Sequence, residues 1–321
     1  MKRIVLALTV LAASLGAARA DEVLTIATNP QGTQYYAAGA AIAKVVDARL
    51  QRQVRVQPMA GTSTYIPLIN SNEVNFGLIN VDDARTAYAG VDNFQGKPNP
   101  HLRLVGVLFR IKNALLVAAD SPIKRIEDVR GMRLPSGFVS QTTGKILVAA
   151  MLASGGLTAD DTKPVPVVNM FAGADALVAG RADAAVINPG IGQVQKAHGE
   201  LSSHGGVRFV SINASPEGVA RMKAVMPSEA VLIQPAPHLV GVVEPTWTMA
   251  FGAFIATSEV TPDAVVYDIL KALRASKPDL VATAPHLEDF NPDRMVWPMP
   301  VPYHPGAIKL YNEVGQWPPK D

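Results

Sequence analysis

A chain of 321 residues with 29 Lys and Arg against 27 Asp and Glu and no cysteine excludes a disulfide framework, a cysteine nucleophile and the basic excess that nucleic-acid binding demands. Residues 1–20 hold Lys2, Arg3 and Arg19 and no acid, so the remainder carries 26 basic and 27 acidic groups, a net charge of −1. Its length gives room for two domains with cores of their own.

Taken in chain order, the positive start at Lys2 and Arg3, an apolar run over 4–15 and the triplet Ala18-Arg19-Ala20 form a secretory signal peptide cut after Ala20. An uncut membrane anchor is the alternative, but the run is short for a bilayer. With no Cys to carry a lipid, the mature chain is expected to be soluble and periplasmic. Strand-like and helix-like stretches then alternate. Strands are predicted at 23–27, 53–58 and 76–80, and helices at 35–50, 64–71 and 82–89. Two apolar strands, 102–109 and 114–119, are separated by Arg110-Ile111-Lys112-Asn113, read as a hinge. A second series has strands at 132–136, 165–168 and 184–187 and helices at 142–154 and 171–179. A helix at 215–226, a loop-rich stretch over 235–245, a strand at 248–255 and helices at 262–275 and 307–314 complete the chain. The alternation predicts a parallel α/β sheet in two units. The division expected is 21–113 with 248–321 as one lobe and 114–247 as the other.

Three loops share one form, in which a strand leads through small hydroxyl and Gly residues into a helix. They are 28–36, with Thr28, Gln31, Gly32, Gln34 and Tyr36; 60–64, with Thr62 and Ser63; and 136–144, with Phe138, Ser140, Gln141, Thr142 and Thr143. Each sets backbone N–H groups at a helix N-terminus, where the dipole favours an anion by ~0.3–1 kcal/mol. Ligands of open α/β sheets bind beyond the carboxyl ends of strands, where these loops fall. Ordinary N-capping by Ser and Thr is the competing reading for each loop alone; three together point to a cleft that clamps a small anion.

Further stretches carry a resemblance. Ala27-Thr28 followed by Gly32-Thr33-Gln34-Tyr35-Tyr36-Ala37-Ala38-Gly39 opens the mature chain. Leu68-Ile69-Asn70-Ser71-Asn72-Glu73-Val74-Asn75-Phe76-Gly77 and Ile79-Asn80-Val81-Asp82 follow, and Val301-Pro302-Tyr303-His304-Pro305-Gly306-Ala307 lies near the end. In order and spacing these resemble the TAXI family of solute receptors, which serve tripartite ATP-independent periplasmic (TRAP) transporters. The resemblance covers nearly the whole mature chain. It implies a type II periplasmic-binding fold with two α/β lobes, a cleft and a hinge. It also implies a solute such as glutamate or another small carboxylate, and TRAP membrane subunits as partner. Asn29-Pro30-Gln31, Tyr65 and Ser140-Gln141-Thr142-Thr143 depart from the family pattern and point to a bulkier or differently shaped acid.

Single residues carry two readings. Arg110 takes a carboxylate in a bidentate pair or is a solvated surface group. Asp82 holds a ligand ammonium, orients Arg110 or caps a helix. Tyr35 and Tyr36 point about 100° apart, and Tyr36 is assigned to the cleft. Tyr65 and Phe138 line a pocket or pack in the core. Asn188, in Asn188-Pro189-Gly190, offers an amide or merely a turn. No Gly-x-Ser-x-Gly elbow, His-Glu-x-x-His pair, phosphate loop or Gly-x-Gly-x-x-Gly fingerprint occurs. An enzyme would need an unrecognised pair such as Asp82 with His304. The sequence therefore reads as a monomeric, cofactor-free receptor without a metal. A sensory binding protein that signals to a membrane kinase is the alternative.

Overall fold

The computed structural model describes residues 23–319; the signal peptide expected over 1–20 lies outside the described residues. The first half opens with β1 (Leu24–Thr28), α1 (Gln34–Leu50), β2 (Val54–Pro58), α2 (Thr62–Asn70), β3 (Phe76–Asn80) and α3 (Val81–Ala89). The long strand β4 (Leu102–Ala118) leads out of it. Next come β5 (Arg133–Gly137), α4 (Thr143–Ser154), β6 (Lys163–Val167), α5 (Met170–Val178), β7 (Ala185–Ile187), α6 (Gly192–Glu200), β8 (Val207–Val210), α7 (Pro216–Val225) and β9 (Glu229–Ile233). A second long strand, β10 (Thr246–Ser258), returns the chain to α8 (Asp263–Arg274), α9 (Lys277–Thr283) and α10 (Pro305–Glu313).

In the first half β1 lies between β2 and β3 and parallel to both, with Ile26 opposite Val56 and Phe76. β10 joins β3 antiparallel, Ile255 facing Leu78. It also pairs antiparallel with β4 from Met249–Asn113 to Ser258–Leu102, with two register shifts that bend the ribbon. Beyond Asn113, β4 changes partners: Leu115 faces Val186 of β7 and Val210 of β8. β9 pairs with the first part of β10, and β5 with β6 forms a separate parallel pair. The sheet is thus mixed, and the expected all-parallel order holds only for β1–β3 and for β5–β6.

The expected break at 110–113 is absent, and one strand runs through it. Phe109, Ile111 and Asn113 are buried, while Arg110 is exposed and Lys112 half-buried. The two charges are therefore the outward positions of a period-two strand rather than a loop, and their backbones oppose Gly252 and Ala250.

Local chemistry explains the elements around the cleft. Thr33 caps α1 by accepting from Tyr36 N at 3.1 Å. The helix buries Tyr35, Ala38, Ile42, Val45 and Val46, one apolar stripe worth roughly 1.5–3 kcal/mol for each large aliphatic side chain. Gly39 lets α1 lie on β1, because a Cβ there would stand 2.5 Å from Thr28 Cγ2. Asn80, not Asp82, caps α3: its Oδ1 accepts from the backbone N–H groups of Asp82 and Asp83, both at 2.9 Å.

Candidate functional site

A chamber of about 50 Å³ lies where the two halves meet. Thr33, Gln34 and Thr62 wall it from the first half, Asn113 and Phe251 from the crossing strands, and Asn169 and Asn188 from the second half. Among the described residues no charged side chain lines it. Helix starts supply much of the wall. Asn169 caps α5 by accepting from Ala172 N at 2.9 Å, and Gln141 Oε1 accepts from Met170 N at 3.0 Å. α2 and α4 begin without any side-chain cap, and their first residues are Thr62 and Thr143.

Those two helix starts converge on Asp83. Thr143 Oγ1 donates to Asp83 Oδ1, and Asn80 Nδ2 donates to Oδ2 at 2.5 Å. Thr62 Oγ1 lies near the same carboxyl without a well-aligned hydrogen bond. Ser63 Oγ and Thr142 Oγ1, 2.8 Å apart, share a hydrogen bond across the cleft beside them. Burial pushes the Asp83 carboxyl up to about 6; Thr143, Thr62 and Asn80 pull it down, and Asp82 adds to the rise. The expectation that α2 and α4 clamp a guest anion is corrected here, since the carboxylate between them is the protein's own.

Several polar atoms around the chamber are left without partners. Gln34 Oε1 and Asn113 Nδ2 make no hydrogen bond, and Tyr35 Oη lies beside Asn80 without an aligned one. A buried polar group left unpaired costs about 1–3 kcal/mol. Several around one cavity mark a place prepared for a ligand's groups.

An outer chamber of about 910 Å³ adjoins it, and Thr33 and Gln34 line both. Arg110, Lys112, Tyr36 and His286 face this outer space, with the start of α6 and residues 232–236 opposite. Arg110 Nε lies 2.6 Å from Glu229 Oε1, both side chains about four-tenths exposed, and Lys112 pairs with Asp289. Burial lowers the His286 pKa to about 4, helped by Lys112, so the ring is neutral. It meets the Phe109 ring edge-on at 4.7 Å between centroids.

Of the sequence-predicted candidates, Gln34, Thr62, Gln141, Thr143 and Asn188 come together on the inner chamber. Gly32, Tyr36 and Arg110 line the outer one. The rest line neither chamber. Tyr65 is buried and donates to Leu78 O; Phe138 is buried. Thr28 is buried and donates to Asn29 O, Gln31 is exposed, and Asp82 pairs with Arg85 at 3.1 Å. Ser63 and Thr142 bind each other, and Ser140 gives its carbonyl to a close approach by Gly61. His304 caps α10, accepting from Gly306 N at 3.1 Å, while Nε2 meets Thr261 O at 2.9 Å. Neither His304 nor Asp82 lines a chamber. Tyr35, rather than Tyr36, reaches the inner chamber. Asn29, Asn80, Asp83, Asn113 and Asn169 were not singled out; Asn before a helix or at a strand end was the available signal.

Among the described residues no group of three or more His, Cys, Asp or Glu is placed to hold a metal, and no helix is long and apolar enough to cross a membrane.

Solved structures with the same fold share little sequence with this chain. The periplasmic binding protein BugD superposes with a TM-score of 0.58 at 13% identity, over 92% of this chain and 94% of that one. The alkanesulfonate-binding protein SsuA from Xanthomonas axonopodis pv. citri, bound to MOPS, gives 0.53 at 14% identity over 91% of each chain. The aliphatic sulphonate binding protein SsuA from Escherichia coli gives 0.52 at 16% identity, over 93% of this chain and 89% of that one. No curated protein matches in sequence. The architecture is the two-lobed periplasmic-binding-protein fold, and the model of the NMT1-like family matches residues 26–315, so the chain belongs to the NMT1-like family.

Proposed function

We propose that this chain is a periplasmic solute receptor of the TAXI type, exported by way of residues 1–20. It closes on a carboxylate-bearing organic acid and delivers it to TRAP membrane subunits, acting as a monomer without cofactor. Its lobes are 21–113 with 248–321, and 114–247. The change of β4 partners between Asn113 and Ala114 supports that boundary.

One observation carries the reading: a cleft lined by residues of both halves, into which the first half brings several buried polar residues whose atoms lack partners. Such a cavity suits a ligand that both lobes enclose, and closure is favoured by whatever binds the closed state better. The acid group belongs in the outer chamber. Arg110 and Lys112 line it, and the exposed Arg110–Glu229 pair can exchange for a ligand carboxylate at small cost. Titration calorimetry with amino acids, keto acids, dicarboxylates and aromatic acids tests this, with a sugar and a cation as controls. Saturable heat from at least one acid is expected. Failure of every acid, with tight binding of the sugar or the cation, overturns it.

A further inference from the structure

We infer that the inner chamber takes an uncharged, amide-type end of the solute and turns a carboxylate away, so that the acid group of the same molecule stays in the outer chamber. This deepens the receptor reading above and rests on it.

Asn113 is fully buried in β4. Its Oδ1 accepts from Asn188 Nδ2 at 3.0 Å, which leaves Nδ2 as a donor with no partner. Gln34, the first residue of α1, lines the same chamber, and its buried Oε1 is an acceptor with no partner. One open donor and one open acceptor match a primary amide, whose carbonyl accepts from Asn113 and whose N–H donates to Gln34. A carboxylate has no hydrogen to donate and sets an anion against the Gln34 oxygen.

The usual reasons for a carboxylate to enter are weakened, since the starts of α1 and α5 that line the chamber already carry the side-chain caps Thr33 and Asn169. Among the described residues no cationic side chain lines this chamber. The first-turn groups of α2 and α4 already serve Asp83, through Thr143 and the nearby Thr62. Ionised Asp83, behind Asn80 and Thr62, repels a second negative charge. The chamber's volume of about 50 Å³ holds only a few non-hydrogen atoms, a head group rather than a whole solute. Thr33 and Gln34 connect it to the outer chamber, where Arg110 and Lys112 stand. A solute with an amide at one end and an acid at the other therefore meets a suitable partner at each end.

Calorimetry on the mature chain tests this with matched pairs: succinamate against succinate, glutaramate against glutarate, and adipamate against adipate. At least one monoamide should bind about tenfold or more tightly than its dicarboxylate. Asn113→Ala should lower that monoamide's affinity by about tenfold and leave the dicarboxylate's unchanged. Asp83→Asn should narrow the preference to within about threefold, since it removes the repelling charge at constant shape. Dicarboxylates binding as well as or better than their monoamides overturn the inference, and so does an Asn113→Ala variant that weakens both alike. If no pair binds while another acid from the wider panel does, the amide assignment falls and the receptor reading stands. If no acid binds, the receptor reading fails first. Should Asp83→Asn not fold, the native ratio and Asn113→Ala decide.

Discussion

Gly61→Ala should open the cleft while leaving each half folded. Gly61 precedes α2 with φ 173°, extended backbone that any residue adopts, so alanine brings no local strain. The obstacle lies across the cleft, where a Cβ on Gly61 would stand 1.8 Å from Ser140 O and 2.7 Å from Ser140 C. Ordinary contact begins at 3.4 Å, so the two backbones must part by at least about 1.6 Å. That movement strains the Ser63–Thr142 and Thr143–Asp83 hydrogen bonds that tie the halves together. Overpacking of this kind costs about 1–3 kcal/mol, which lowers the closed population relative to the open one by about 5- to 150-fold. Small-angle X-ray scattering of the ligand-free variant should give a larger radius of gyration than the native chain. Its thermal midpoint should change little, because opening relieves the clash. A variant with native scattering and native solute affinity would refute the reasoning, as would one that unfolds without first expanding.

Asp83 sets a pH signature. Its carboxyl is held at about 6 in the folded chain against 3.8 for the free group, so the folded state keeps a proton that the unfolded state loses first. Stability should therefore fall as pH rises through that window and level off above it. Roughly two units at ~1.4 kcal/mol each give about 3 kcal/mol. Guanidinium unfolding at pH 4 and pH 7 should show native protein losing that much more than Asp83→Asn; equal losses contradict it. His286, lowered to about 4 by burial, should remain neutral at pH 5 in an NMR titration, and a ring that protonates near 6.5 contradicts its burial. Arg110→Ala should cost less than about 1 kcal/mol of stability, because its pair with Glu229 is exposed. The same change should weaken acid binding by about tenfold; unchanged binding would remove Arg110 from the outer site. Gly144→Ala would put a Cβ 2.5 Å from the Phe138 ring. Phe138 is itself held at φ 49°, so the thermal midpoint should drop in line with about 1–3 kcal/mol.

Much of the order of strands and helices was legible because buried strands and amphipathic helices leave strong periodic patterns, but α6, β8, β9 and α9 were not predicted. The loops leading into α1, α2 and α4 were legible as cleft-forming for the same reason: Gly and hydroxyl residues mark helix starts. The break between two strands at 110–113 was misread. Arg110 and Lys112 look like a charged break in sequence, yet they are alternate positions of a strand whose other face is buried. Pairing with β10, more than 130 positions later, decides that outcome, and no local pattern reports it. Asp83 was not among the candidates, since a carboxylate at a helix start is ordinarily solvated. Its burial depends on α4 arriving from the other half with Thr143. Tyr35 and Tyr36 could not be separated because adjacent helical residues differ only in direction, and the direction of α1 follows from Gly39 resting on Thr28.

Native mass spectrometry of the chain purified from a periplasmic extract without added solute tests closure over an acid most directly. A bound small molecule that dissociates as an organic acid, and whose release expands the protein in ion mobility, is the result expected. A bound sugar or cation, or an acid whose release leaves the shape unchanged, would contradict it.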